Sequence, residues 1–541
     1  MGAVPEAAPI QAGCVDVERT IAALNAELAR ANSERDEYRK LYLELLERFK
    51  KLERGILGQK SERLKGNEAQ LVMQVLGTVF GDNAAAQPAP EPKKEKVKEH
   101  ERAKPTGRKP LPEHLPRVDV EVLPEEVQRL GTDAFECIGE DVMETVERRR
   151  GSLVVVRVHK KKFVAKGRDR AESQLVQAPS PELPIPRCVA GPGLLAETVV
   201  QRWQDHLPLY RLERVYGRDG LDLARSTICG WHAALYELVK PLVDVMWKDA
   251  LTAPYLCTDA TGVLVQALER CRLAHFWVVV APERHVLFKY TPKHDADAVD
   301  ECLRGYKGYL VADAASVYEH LYRTGNVIEC GCWAHTRRYF WKSLGTDPER
   351  SRHALGLIGE LFRIERVHKG LAPPKRLEVR RNESKPFVDA FFEWCDKESL
   401  VVLDETPISK GIGYARNQKV ALSRFLDDGR LPMHNNISEG QLRREAIGRK
   451  NWLFVGNDEG GAVNAAFVSL LASCQLHGIE PVAYLRDLFC LLPSWSQLRL
   501  LDLAPASWKK TVEEADTQQR LAANVFRQAS LGTLVEHLPP T

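Results

Sequence analysis

At 541 residues the chain is too long for one hydrophobic core, so two to four domains are expected. Its hydrophobic content of 44% is ordinary for a water-soluble chain, and a net charge of +3 excludes nothing by itself. No apolar run approaches the ~18–20 residues of a membrane span. The opening MGAVPEAAPIQAG has no basic segment ahead of an apolar one, and the 12 cysteines follow no disulfide spacing. A soluble protein in the reducing cytoplasm, without membrane contact, is the expectation.

Residues 1–14 carry no periodic pattern and are expected to be disordered. From there Val17, Ile21, Leu24, Leu28, Ala31, Arg35, Tyr38, Tyr42, Leu45, Phe49, Leu52 and Ile56 recur at spacings of four and three, with Arg35 alone breaking the apolar series. Such a repeat predicts a coiled coil over 15–64, a rod of roughly 60 Å, and self-association as a dimer or higher. A lone amphipathic helix is the competing reading. Residues 65–112 turn to Pro, Ala, Glu and Lys and read as a linker. Its Lys93, Lys94, Lys96, Lys98, Lys104, Arg108 and Lys109 suit a phosphate backbone or plain solvent.

Residues 113–180 form a small β unit. Within it TVERRRGSLVVVRVHKKKFVAKG (145–167) places a Gly-Ser turn among β-branched residues interleaved with Arg157, His159, Lys161 and Lys166, which predicts a hairpin with one basic face. That face fits phosphates or a solvated edge strand equally. Cys137 has no CxxC partner, so no zinc is expected there. Residues 181–250 read as three helices, the last two joined through a glycine-containing turn as in a helix-turn-helix. Arg225, Ser226 and Thr227, at the start of the third, are candidate DNA contacts.

Residues 251–350 alternate between strand and helix. A strand over 254–266 carries Asp259, a hairpin over 275–292 and a helix follow, then a strand carrying Asp313, then NVIEC and a helix with His335, Arg337 and Arg338. Acids on the first and fourth strands of that order match the ribonuclease-H-like plan, where the two strands are neighbours. A carboxylate within an apolar strand is costly unless paired or bound to a cation. Asp259 and Asp313, 54 residues apart, read as half of a Mg²⁺ site or, taken singly, as residues bonded to backbone. Cys330, Cys332 and His335 lack a fourth ligand for zinc.

A largely helical insertion (351–430) precedes LPMHNNISEGQLRREAIGRKNWLFVG (431–456). Asn435-Asn436 marks a turn, and a helix from about Ile437 carries Glu439 in its first turn, with Arg443, Arg444, Arg449 and Lys450 behind. An acid first and cations last suits the helix dipole, so an ordinary capped surface helix is the plainer reading. Residues 431–480 complete the core, and 481–541 read as C-terminal helices and a tail. The expected fold class is multidomain α+β. It comprises an N-terminal coiled coil, a β unit with helix-turn-helix-like helices, a ribonuclease-H-like α/β core with a helical insertion, and a helical C-terminus.

Together these pieces resemble the larger transposase of the IS66 class of bacterial insertion sequences along essentially the whole chain. ILGQKSERL (56–64), GRKPLPEHLPR (107–117) and ELPIPRCVAGPGLLAETVVQRWQDHLPLYRLERVY (182–216) are similar to family motifs, and CGCWAHTRRYF (330–340) and HNNISEGQLRREAIGRKNWLFVG (434–456) are the most specific. The resemblance implies a DDE triad of Asp259, Asp313 and Glu439 binding Mg²⁺ or Mn²⁺; zinc is not expected, because the cysteines for it are absent here. It implies cleavage and joining of DNA strands by a two-metal mechanism. Element ends and target DNA are the implied partners, small companion proteins are allowed for, and the setting is the bacterial nucleoid. His335, Arg337, Arg338, Arg443, Arg449 and Lys450 are the candidate phosphate contacts. Three departures stand out: Ala260 where the family has Glu, His434 where it has Asp, and no zinc-binding cysteines near Cys137. A nuclease that does not join strands and a decayed DNA-binding protein are the rival readings.

Overall fold

The computed structural model describes Ala26, Arg30 and residues 111–149, 151–165, 175–267 and 270–534. The chain divides into two units, Met1–Thr106 and Gly107–Thr541. In the first only Ala26 and Arg30 are described, both helical and exposed. The coiled coil expected over 15–64, the dimer built on it, and the linker as far as residue 110 otherwise lie outside the described residues.

The second unit opens with a four-stranded sheet of β1 (Arg117–Val122), β2 (Phe135–Arg149), β3 (Ser152–Ala165) and β4 (Val176–Gln177). The order is β1-β3-β2, with β4 also pairing β3. β2 and β3 are the expected hairpin with a longer first arm, turning at Gly151, whose φ of 84° favours glycine. Val154, Val156 and Val158 share a core with Val118, Phe526 and Ala529, while Leu153 and Val155 join the main core with Ala190 and Leu194. Burial on both faces therefore ties this sheet to the helices that follow. Lys166 of the expected basic face lies outside the described residues, and for the rest that expectation is corrected by the pairing of the strands. Arg157 meets Glu144 at 3.0 Å and Asp119 at 3.8 Å, His159 meets Asp119 at 2.9 Å and Glu140 at 3.3 Å, and Lys161 meets Glu121 at 2.8 Å. It is a cross-strand ion ladder, not a cationic surface.

Three helices follow, α1 (Pro192–Trp203), α2 (Leu209–Arg218) and α3 (Arg225–Ala250). A buried acid fastens the first of them to the sheet. Glu147 of β2 accepts the backbone N–H of Leu194 at 2.7 Å and of Arg148 at 2.7 Å, at the N-terminus of α1. Burial pushes its carboxyl up to about 8. Gly191 and Gly193 flank it closely, and a Cβ on either would collide with that carboxyl.

The larger sheet comprises β5 (Tyr255–Val265), β6 (Arg272–Ala281), β7 (His285–Thr291), β8 (Gly308–Val311) and β9 (Val327–Cys330), with α4 (Ala296–Leu303) before β8 and α5 (Trp333–Ser343) after β9. Its order is β7-β6-β5-β8-β9, antiparallel through β5-β6-β7 and parallel through β5-β8-β9. The insertion contributes α6 (Pro348–Val367), α7 (Lys385–Glu398) and α8 (Pro407–Asn417), with its own core of Ile358, Leu361 and Phe391 around Trp333 and Phe340. Then α9 (Asn436–Trp452) returns to β5, and α10 (Asp458–Leu476) covers the edge strand β7. There the Ser469 and Ser473 hydroxyls accept the N–H groups of Phe288 at 2.7 Å and Val286 at 3.0 Å, so the edge is closed to further pairing. Further helices, α11 (Pro481–Leu491) and α12 (Val525–Leu531) among them, complete the described chain. No helix among the described residues is long and apolar enough to cross a membrane.

Candidate active site

β5 and β8 run parallel, with Cys257 opposite Val311. Two residues further along each, Asp259 on β5 and Asp313 in the loop beyond β8 stand at the same end of the paired strands, both half-buried. The strand expected around Asp313 is shorter than the sequence suggested, and the acid caps its end rather than sitting inside it. Glu439 arrives from the first turn of α9. That turn is pinned by Asn435, whose Nδ2 donates to the Thr258 carbonyl at 2.7 Å and whose backbone N–H donates to Cys332 Sγ at 3.2 Å. From α5, His335 Nε2 lies 3.4 Å from Glu439 Oε1, and Arg338 Nη2 lies 3.5 Å from Oε2.

The acids share one electrostatic neighbourhood. Asp259 is pushed up to about 6, by burial first and then by the charges of Asp313 and Glu439. The Ala260 N–H, 2.8 Å from Oδ1, and the Arg338 guanidinium pull the other way. Burial holds His335 below the usual imidazole range, against the pull of Glu439 and Asp313. Glu439 Oε1 and His335 Nδ1 are buried without a hydrogen-bond partner. Among the described residues no three His, Cys, Asp or Glu side chains are grouped closely enough to hold a metal ion as they stand. The site is thus an excess of negative charge with one guanidinium in reach, which a cation would relieve.

The family description "Transposase IS66 family" matches residues 187–463, a span that contains all three acids. The chain belongs to the IS66 transposase family. A second family description, "Transposase C of IS166 homeodomain", matches residues 44–120. Two curated relatives come from Sinorhizobium fredii, both described as uncharacterized. One, y4hP, is 28% identical over 492 residues, covering 86% of this chain and 88% of its own. The other, y4qI, is 28% identical over 526 residues, covering 91% and 94%. Membership in the IS66 family brings a transposase role and DNA as the molecule acted upon.

The other candidate residues of this IS66 chain are not gathered at the acids. Arg337 stacks over the Trp341 ring at 5.9 Å. Arg449 donates to Thr261 Oγ1 at 3.0 Å and to the Gly262 carbonyl, so its guanidinium ties α9 to β5. Arg443 and Lys450 are exposed on α9 and make no ion pair among the described residues. Arg225 pairs with Glu213 at 3.3 Å, and Ser226 and Thr227 stand exposed at the N-terminus of α3. Sequence reasoning missed Asn435 as a structural link, and it missed Glu445. Burial pushes Glu445 up to about 7 on the inner face of α9, where Asn464 Nδ2 donates to it at 3.3 Å. A charged residue on an amphipathic helix gives no sequence signal that it faces inward.

Proposed function

We propose that this chain cleaves DNA strands at the ends of an insertion sequence and joins them to target DNA, using Asp259, Asp313 and Glu439 with divalent metal. The observation that carries the reading is the convergence of three acids, distant in sequence, until Asp259 feels the charge of both others. The strand order, with one acid on the central strand, one just past its parallel neighbour and one on a returning helix, supports a ribonuclease-H-like core.

The residues fit Mg²⁺ or Mn²⁺. The donors are hard carboxylate oxygens, they repel one another, and Glu439 Oε1 is buried without a hydrogen bond, with only His335 Nε2 at 3.4 Å beside it. Bound metal supplies charge to offset that building on the attacking and leaving oxygens of phosphodiester displacement. The protein's own part is to bring Asp259, Asp313 and Glu439 into one neighbourhood from β5, the loop after β8 and the first turn of α9. At neutral pH Asp259 is mostly deprotonated, since its carboxyl titrates at about 6. Neutral His335 can orient a water or a phosphate oxygen. Arg338, whose side chain is 53% exposed, can turn from Glu439 to a phosphate, and Arg443 and Lys450 extend that track along α9. Arg225, Ser226 and Thr227 are assigned to recognition of the element ends, and the heptad repeat of 15–64, read as a coiled coil from the sequence, to pairing two copies.

The test uses labelled DNA carrying the element ends in Mg²⁺, with wild type beside Asp259→Asn, Asp313→Asn and Glu439→Gln. Wild type is expected to cut and join, and each variant to bind DNA and do neither. Cutting without joining supports a nuclease instead, and fully active variants overturn the assignment.

A further inference from the structure

We infer that Asn435 is the positioning residue that sets the spacing of the acids, an inference that rests on the metal-dependent reading above. Asn435 is fully buried at the N-cap position of α9, yet its side chain forms no cap bond to the helix. An asparagine there ordinarily accepts from an N–H of the first turn. This one does otherwise. Its Nδ2 reaches out of the helix to the carbonyl of Thr258 at 2.7 Å, the residue before Asp259. Its Oδ1 accepts from the Ser438 hydroxyl, which also donates to the Asn435 carbonyl at 3.0 Å.

The backbone of the same residue reaches the remaining parts of the site. Its N–H meets Cys332 Sγ at 3.2 Å, one turn ahead of His335, and its carbonyl accepts the N–H of Glu439 at 3.2 Å. One buried residue therefore bonds to the neighbour of the first acid, to the element that carries His335, and to the third acid itself. A buried amide with these partners satisfied cannot rotate without stranding the Thr258 carbonyl. Removing it lets α9 shift against β5, and the carboxylates lose their common focus while each remains present.

Mn²⁺ alone is the probe, read as thermal stabilisation of the full chain over a titration. In Asn435→Ala the Mn²⁺ concentration for half-maximal stabilisation should rise about tenfold or more, the range seen when a residue supporting a metal ligand is removed. Ser438→Ala, which leaves the amide bond to Thr258 in place, should raise it less. Leu361→Ala, in the core of the insertion, should lower the Tm and leave the Mn²⁺ midpoint unchanged. If Asn435→Ala and Ser438→Ala both keep the wild-type midpoint, the inference is overturned and Asn435 serves folding only. A wild type indifferent to Mn²⁺, with Glu439→Gln indistinguishable from it, overturns the metal reading and this inference together.

Discussion

On β3, the cations Arg157, His159, Lys161 and Lys162 each meet a carboxylate from a neighbouring strand; on β5, Asp259 feels the charges of Asp313 and Glu439, and the one guanidinium near them, Arg338, lies 3.5 Å from Glu439. Both sheets place charge on strands, but the first balances it within the protein and the second leaves a surplus of one sign. Balanced, half-exposed pairs contribute little beyond solubility and register. A surplus held in place by burial and a buried asparagine is destabilising in isolation, and persists where something outside the chain completes it.

The comparison breaks most visibly on activity. Asp259→Asn or Glu439→Gln should lower Mg²⁺-dependent strand cleavage by on the order of 10²-fold or more, measured on labelled element ends. Arg157→Ala in the ladder should leave cleavage unchanged and cost no more than about 1 kcal/mol in denaturant unfolding. The junction between the regions is more sensitive than the ladder. Gly193→Ala drives a methyl into the Glu147 carboxyl and should destabilise by roughly 1–3 kcal/mol.

Acidity sharpens the contrast. The carboxyl of Asp259 titrates at about 6 in the fold against an ordinary 3.8. The folded chain therefore holds that proton more tightly than the unfolded one, and the stability this provides below about pH 4 is lost as pH rises to 6. Without divalent metal, Asp259→Asn should remove this loss and raise the Tm at pH 7.5 by about 2–4 °C; added Mn²⁺ should stabilise wild type and not the variant. His159 is also raised, first by its bond to Asp119, so its contribution is present below about pH 6.5 and fades as pH climbs through its folded value. That fade should shrink in Asp119→Asn, where Glu140 still stands 3.3 Å from the ring, and it should ignore Mn²⁺. The smallest effect concerns DNA. Arg443→Ala and Lys450→Ala should each reduce the salt dependence of DNA binding by about one phosphate contact, in a titration of affinity against salt.

Much of this was legible in the chain itself. Period-two apolar runs marked the strands carrying or preceding Asp259 and Asp313, and the acid-first, cation-last pattern marked α9 to within a residue of its start. What was not legible depends on register and facing. The acids that neutralise the β3 cations lie 13 to 40 residues away, and only strand pairing brings them opposite. Glu147 and Glu445 look like surface charges because burial is not encoded at one position. Arg449 looked like a phosphate contact for the same reason, since a guanidinium on a helix end can face either way. Asn435 read as a turn residue, where its type is common, and its bond to Thr258 spans 177 residues.

The most direct test of the central claim replaces Mg²⁺ with Fe²⁺ and reads where hydroxyl radicals generated at the bound ion cut the polypeptide. If Asp259, Asp313 and Glu439 hold metal together, the chain should be cut near all three positions, and Glu439→Gln should suppress the cuts at the other two. Cuts confined to one of the three, or unchanged in Glu439→Gln, would contradict the account.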